Sequence, residues 1–137
     1  MNKIFLIDDD EDDQFFFKEV IESINPTLHC DTATDGKNAL DKLKSSDYSL
    51  PDVIFLDLNM PVMNGFDFLI QIKKENGLNK IPVGIFSTSS ILREKELTKE
   101  MGAQFFLTKP NDFQELRKKI EQIISSDFST IPYLSLT

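Results

Sequence analysis

Asp8 and Asp9 follow directly on the apolar run Ile4 to Ile7. Asp57 closes "DVIFLD", Ser87 closes "IPVGIFS", and Lys109 follows "QFFLT". Each of these side chains stands where an apolar run stops. The acids do not end with Asp9 but run unbroken to Asp13, and like charges this close repel, most strongly beside apolar neighbours. Several carboxylates at one spot need a cation. Hard oxygen ligands suit Mg2+ or Ca2+, and a small site that keeps several waters suits Mg2+. A lone lysine facing such a cluster suits an arriving dianion better than a permanent pair. Metal, ammonium and hydroxyl together are the equipment for stabilising a phosphoryl group in transfer. A carboxylate acceptor would give an aspartyl phosphate.

Each residue also has a plainer reading. Asp10, Glu11, Asp12 and Asp13 read as acids at a helix start, favoured there by the helix dipole. A serine at a strand end is commonly a turn residue, and Lys-Pro is commonly surface chain. His29 and Cys30 read as structural residues of a strand, Cys30 as a small core side chain. The run Phe15 to Phe17 reads as core at two positions and partly exposed at the third. Cys and His at metal-ligand spacing are absent, and so is a Gly-rich phosphate loop, which weighs against a nucleotide-binding enzyme.

The elements that must position these residues are legible as alternating apolar runs and amphipathic stretches. The runs "KIFLID" (3–8), "LHCDTA" (28–33), "DVIFLD" (52–57), "IPVGIFS" (81–87) and "QFFLT" (104–108) predict strands. Three of them are nearly continuous in apolar residues, as strands covered on both faces are. Between them, Phe17, Val20, Ile21 and Ile24 follow helical spacing, as do Phe113, Leu116, Ile120, Ile123 and Ile124. Ala39, Leu40 and Leu43 make a shorter stripe. Phe66, Leu69 and Ile72 make a fourth, and Leu97 and Met101 a weaker fifth stopped by Gly102, a good C′ residue. The β-α alternation predicts an α/β fold: a doubly wound, five-stranded parallel sheet with helices on both faces and right-handed crossovers. In such folds a site lies at the carboxyl ends of the strands, where the reactive side chains fall.

The whole chain bounds the function. Its 137 residues suit one domain, and 40% hydrophobic content with 12 Phe suffices for one core. The net charge of −8 repels phosphate backbones and anionic lipid, so neither nucleic acid nor a membrane surface is an expected partner. A single cysteine excludes an internal disulfide and fits a reducing compartment. The first apolar run is too short for a signal peptide, and no stretch approaches the roughly 20 apolar residues of a membrane span. A cytoplasmic protein is the expectation.

The stretches "LIDDDE", "IFLDLNMPVMNGFDF", "PVGIFSTSS" and "FFLTKPNDF" together resemble the receiver domain of bacterial two-component response regulators. The resemblance runs from Lys3 to about Ser126, giving a receiver domain over 1–127 and a short tail over 128–137. It implies a flavodoxin-like fold and a role for each matching residue. Asp57 would be the phosphoacceptor. Asp9 would be a direct Mg2+ ligand, with Asp8 acting through water and the Asn59 carbonyl as third protein ligand. Ser87 would contact the phosphoryl group, and Lys109 would pair with it, the Lys109–Pro110 bond being cis. Phe106 would be the aromatic switch. Three departures are visible. Thr88 stands where a small residue is usual, Phe106 lacks the hydroxyl of the common Tyr, and Asn111 and Asp112 precede Phe113, with Asp112 reading as a helix N-cap.

The resemblance implies a signalling switch. A sensor histidine kinase or a histidine phosphotransfer protein donates to Asp57, and the altered surface binds a further protein or a second copy of the chain. No output domain follows, so a stand-alone, chemotaxis-type regulator is expected. The signal would pass from Ser87 to Phe106, whose exposed ring would turn inward and gain roughly 1.5–3 kcal/mol on burial. A hydrolytic enzyme running through aspartyl phosphate, as haloacid-dehalogenase-like proteins do, would carry a second Asp two residues after the nucleophile. That position is Asn59, which disfavours turnover.

Overall fold

Apolar residues alternate between two faces along each strand, so the sheet is forced into the middle of the molecule. In the computed structural model, which describes residues 1–136, the elements run β1 (Lys3–Ile7), α1 (Glu11–Ile24), β2 (His29–Ala33), α2 (Gly36–Lys44), β3 (Val53–Leu56), α3 (Gly65–Lys74), β4 (Val83–Ser87), α4 (Leu92–Glu100), β5 (Phe106–Thr108) and α5 (Phe113–Ile124). The five strands form one parallel sheet in the order β2-β1-β3-β4-β5. Ile4 pairs with Cys30 on one side and Val53 on the other, and Ile85 pairs with Phe106 at the far edge.

Ile4, Leu6, Val53, Phe55, Phe86, Phe105 and Leu107 face one core layer with Phe17, Val20, Ile21, Leu116, Ile120 and Ile123 of α1 and α5. Phe5, Ile7, Ile54, Leu56, Val83, Ile85 and Phe106 face the other, against α2 and α3. Phenylalanine carries the first layer, with ring centroids of Phe17 and Phe55 5.0 Å apart and of Phe55 and Phe105 5.2 Å apart. Edge-on aromatic packing of this kind adds to the area buried. Gly84 is required here, because a Cβ on it would lie 2.0 Å from the Phe105 ring.

The predicted strands and helices are all present, with shifts. Asp8 and Asp57 lie just past their strands, and β5 begins at Phe106 rather than Gln104. In α3 the buried set is Gly65, Phe68, Leu69 and Ile72, leaving Phe66 half-buried. The helix starts against the sheet at Gly65, so its inward face is counted from there. In α4 the expected stripe fails. Leu97 is exposed and Thr98 is the buried residue, its hydroxyl donating to the Glu94 carbonyl at 2.8 Å. That bond removes the cost of burying a hydroxyl. Gly102 ends α4 at φ +102°, a left-handed position as expected of a C′ glycine.

Helix starts are set by local side-chain caps. Asp10 accepts from the N–H groups of Asp12 and Asp13, Asp35 from Asn38, Asn64 from Asp67, and Asp112 from Glu115. Only α4 lacks a side-chain cap. Phe15 is exposed, Phe16 half-buried and Phe17 buried, and half-buried Cys30 has its thiol pushed up to about 12 by burial. No helix among the described residues is long and apolar enough to cross a membrane.

Gly84→Ala is expected to lower stability in urea unfolding by at least about 1–3 kcal/mol, since the added methyl overpacks the Phe105 ring. Phe105→Leu in the same chain should recover part of that loss, and a purely additive pair would refute the clash.

Candidate functional site

The carboxyl ends of β1, β3, β4 and β5 deliver the chemistry. The Asp57 N–H donates to the Ile7 carbonyl at 2.9 Å and the Asp8 N–H to the Ala33 carbonyl at 3.0 Å, so the ladder itself fixes both acids. Gly65 lets α3 start tight against them. A Cβ there would lie 2.3 Å from the Asp57 carbonyl oxygen, and the Gly65 N–H donates to the Leu58 carbonyl at 3.0 Å. The loop between β3 and α3 turns through Val62 at φ 67°, a strained position for a β-branched residue.

Asp8, Asp9 and Asp57 each offer a carboxylate oxygen, and these oxygens lie within 4.8 Å of one another. Asp8 is fully buried, Asp57 nearly so, and Asp9 is exposed. Three converging hard oxygens, one of them open to water, fit a divalent cation. Lys109 meets the cluster from the opposite side. Its Nζ lies 2.7 Å from Asp8 Oδ2, 2.7 Å from Asp13 Oδ2 and 3.5 Å from Asp57 Oδ2. One ammonium thus faces more carboxylates than it can neutralise, and the remaining negative charge is what a cation would balance.

The sequence expectation of an unpaired lysine is corrected here. Lys109 is held by Asp8 and Asp13 because the buried Asp8 carboxylate and the nearly buried ammonium need each other's charge, and Asp13 reaches the ammonium from the half-exposed start of α1. Asp13 does more than the dipole partnership expected of an acid at a helix start. It lies three residues after the N-cap Asp10, which turns it back toward the strand ends, and that spacing was the available signal. Gln14 joins it, donating from Nε2 to the Asp8 carbonyl at 2.6 Å.

Ser87 is fully buried at the end of β4, where its Oγ accepts the Ser89 N–H at 3.2 Å and its carbonyl accepts the Lys109 N–H at 2.7 Å. Thr88 is exposed. The exposed Asn59 donates its N–H to Asp57 Oδ1 at 3.3 Å. No cis peptide bond occurs among the described residues, so the Lys109–Pro110 bond is trans, against the cis expectation. Trans is the lower form of an X–Pro bond by about 0.5–1 kcal/mol, and the Lys109 N–H reaches Ser87 in that form.

Phe106 also departs from expectation. Its ring is only 6% exposed and packs in the layer facing α3, with Lys95 Nζ 5.6 Å from its centroid. A ring without a hydroxyl has nothing to satisfy in water, so it is already inside, and no further burial is left to gain.

A family model for the response regulator receiver domain matches residues 4–121. The chain belongs to this family. It is 29% identical over 125 residues to protein PilH of Pseudomonas aeruginosa, covering 91% of this chain and 99% of that one. Among solved structures, the phosphorylated cyanobacterial phytochrome response regulator RcpA is similar at TM-score 0.80 and 28% identity, over 89% of this chain and 90% of that one. The Mn2+-bound form of response regulator Rcp1 is similar at TM-score 0.79 and 27% identity, over 91% and 93%. The receiver domain is a phosphoacceptor signalling domain, and the doubly wound parallel fold expected from the alternation is the fold observed.

Burial pushes the Asp8 carboxyl up to about 6, against the pull of Lys109 and of the Asp10 N–H. Burial likewise raises Asp57, opposed by Lys109. Burial acts to lower Lys109, but hydrogen bonds to Asp13 and Asp8 outweigh it and raise the ammonium above its usual range. The folded Asp8 value lies above the unfolded one. Its contribution is therefore fully present below about pH 4 and is lost as pH rises through about 6. In chelator, melting temperature is expected to fall between pH 5 and pH 7 by an amount corresponding to roughly 1 kcal/mol, the value of about one pKa unit. Asp8→Asn should flatten that dependence, and an unaltered slope in the variant would count against it.

Proposed function

We propose that this receiver accepts a phosphoryl group on Asp57 from the phosphohistidine of a sensor histidine kinase or a histidine phosphotransfer protein. A carboxylate oxygen of Asp57 attacks phosphorus as the N–P bond breaks, and the electron pair returns to the donor imidazole. The observation that carries the reading is the convergence on Asp57 of Asp8, Asp9 and the Lys109 ammonium, 3.5 Å from Asp57 Oδ2. Lys109 exchanges part of its hold on Asp8 and Asp13 for the incoming oxygens. The Ser87 hydroxyl, which now accepts from Ser89, turns to donate to the phosphoryl group.

The proposed ion is Mg2+, held by Asp9 and Asp57 directly, by Asp8 through water and by the Asn59 carbonyl. The all-oxygen donor set and the exposure of Asp9 and Asn59, which leaves room for waters, support that choice. When bound, the ion supplies charge to offset the phosphoryl oxygens. The chain acts as a switch rather than a turnover enzyme, since Asn59 stands where a hydrolase would place its acid-base carboxylate. A cytoplasmic location suits such a partner. The receiver unit is taken as 1–127, with 128–137 as an appended segment.

The altered state would be read on the surface of α4, β5 and α5 by another protein or a second copy of the chain. Ser87 and the loop 88–91 lead there. Phe106 marks the same route, although its inward ring contributes no burial energy in this conformation.

Incubation with acetyl phosphate and Mg2+ should add one base-labile phosphoryl group by intact-mass spectrometry. Asp57→Asn and excess chelator should each abolish it, and Lys109→Ala should slow it at least about tenfold, given that charge stabilisation at a phosphoryl centre is worth several kcal/mol. Equal labelling of Asp57→Asn would exclude Asp57 as the acceptor.

A further inference from the structure

β5 is the outermost strand, so one side of it has no neighbouring strand among the described residues. Bare edges of this kind attract other extended chains. Here the segment after α5 turns back and lies along it. The Leu134 N–H donates to the Gln104 carbonyl at 2.8 Å, and Gln104 Nε2 reaches the Phe128 carbonyl at 3.5 Å. The Phe128 ring sits 6.0 Å from the Phe105 ring, and Leu134 and Leu136 pack against the layer shared by α1 and α5. The Tyr133 ring lies under Lys99 of α4, with Nζ 4.5 Å from its centroid.

The segment is built for this place. Residues 128–136, "FSTIPYLSL", carry no charge, while Lys95 and Lys119 line the groove beside Leu136 and Lys99 stands over the Tyr133 ring. Pro132 and Ser135 are exposed, while Tyr133, Leu134 and Leu136 are half-buried. Yet the hold is slight. Among the described residues, one bond between main-chain groups ties the segment to the residues leading into β5. Beyond it a groove of about 330 Å3 remains between Lys95, Phe106, Leu107, Thr108, Lys119 and Leu136.

We infer that the outer edge of β5, flanked by α4 and α5, is a docking surface for an extended, uncharged apolar peptide, and that residues 128–136 are its resident occupant, a strap that an outside segment must displace. The fitting partner supplies a main-chain N–H to the Gln104 carbonyl, an aromatic ring to Lys99 one residue earlier, and two apolar side chains spaced i and i+2. This is strand addition to a sheet edge, in which main-chain bonds give hold and alternate side chains give selectivity. The strap is covalently attached, so it competes at a high effective concentration, and only its loosening lets a free peptide compete well. The inference does not rest on phosphoryl transfer to Asp57.

The test uses the full chain and a fluorescent peptide of residues 127–137 as probe, without metal or phosphoryl donor. Leu134→Pro removes the donor N–H and should raise peptide affinity at least tenfold over the unaltered chain, read by anisotropy up to millimolar protein. Leu136→Asp leaves the main-chain bond and removes packing, and should give an intermediate affinity. Peptide addition to the 15N-labelled variants should move the amide signals of Gln104 to Thr108 and of α4, with a cooperative melting transition retained. Equal binding to all three chains, or binding to none, would overturn the assignment. So would a loosened chain that pairs with itself while ignoring the peptide. None of these outcomes bears on Asp57 labelling.

Discussion

The position of one ammonium group governs the carboxyl edge of the sheet. β5 lies beyond β3 and β4 from β1, roughly 14 Å at normal strand spacing. A lysine side chain cannot span that distance from its own strand. The chain after β5 must lean inward, and it does so because the Lys109 N–H binds the Ser87 carbonyl at 2.7 Å. The stem then crosses the Phe86 ring, with Nζ 5.3 Å from its centroid, and the ammonium arrives between Asp8, Asp13 and Asp57. Without that cation, the two buried carboxylates Asp8 and Asp57 would have no counter-charge from the protein, and burying them would cost several kcal/mol.

Other features follow from serving this meeting point. The ladder brings Asp8 and Asp57 side by side at the ends of adjacent strands. Asp10 caps α1, which places the positive end of that helix beside the acids and orients Asp13 toward Lys109. Gly65 allows α3 to begin in contact with the Asp57 backbone, a closeness no side chain permits. The phenylalanine layer under α1 and α5 has no direct part in the chemistry, but Phe86 forms both its roof and the floor of the Lys109 stem. Core and site therefore share a residue, and neither can shift far alone.

The five strands, their parallel pairing and the helices on both faces were legible in the sequence because burial on two faces imposes near-continuous apolar strands. The strand order β2-β1-β3-β4-β5 was not, since no local pattern encodes which strands are neighbours. Asp8, Asp9, Asp57, Ser87 and Lys109 were legible as strand-end residues for the same reason as the strands. Asp13 was not, since its role depends on the rotation of α1 about its axis, which the cap Asp10 sets. The buried face of α4 departs from the stripe expected at Leu97 because a threonine can replace an apolar residue when its hydroxyl bonds back to the previous turn. The inward ring of Phe106 depends on how the last strand packs against the layer facing α3, and no local pattern encodes that. The segment 128–136 carried an apolar signal, but its path over β5 depends on an edge that exists only once the sheet is formed.

The uneven distribution of local determinants has a consequence for how charge at the site is felt elsewhere. α1, α2, α3 and α5 each begin with a side-chain cap, and the first three ladder pairs tie β2, β1, β3 and β4 through the middle. On the β5 side these constraints thin out. α4 has no side-chain cap and exposes Ile91, Leu92 and Leu97, β5 is three residues long, and among the described residues the segment beyond α5 makes one bond between main-chain groups to the sheet. Regions with few buried apolar contacts and few internal hydrogen bonds open at lower free energy than the rest. Ser87 and Lys109 lie at the junction, each bonded to the acidic cluster or its neighbours on one side and continuous with the loosely held elements on the other. A change of charge among Asp8, Asp57 and Lys109 meets a stiff wall toward β1 and β3. It meets a compliant one toward α4 and β5, and displacement follows the compliant side.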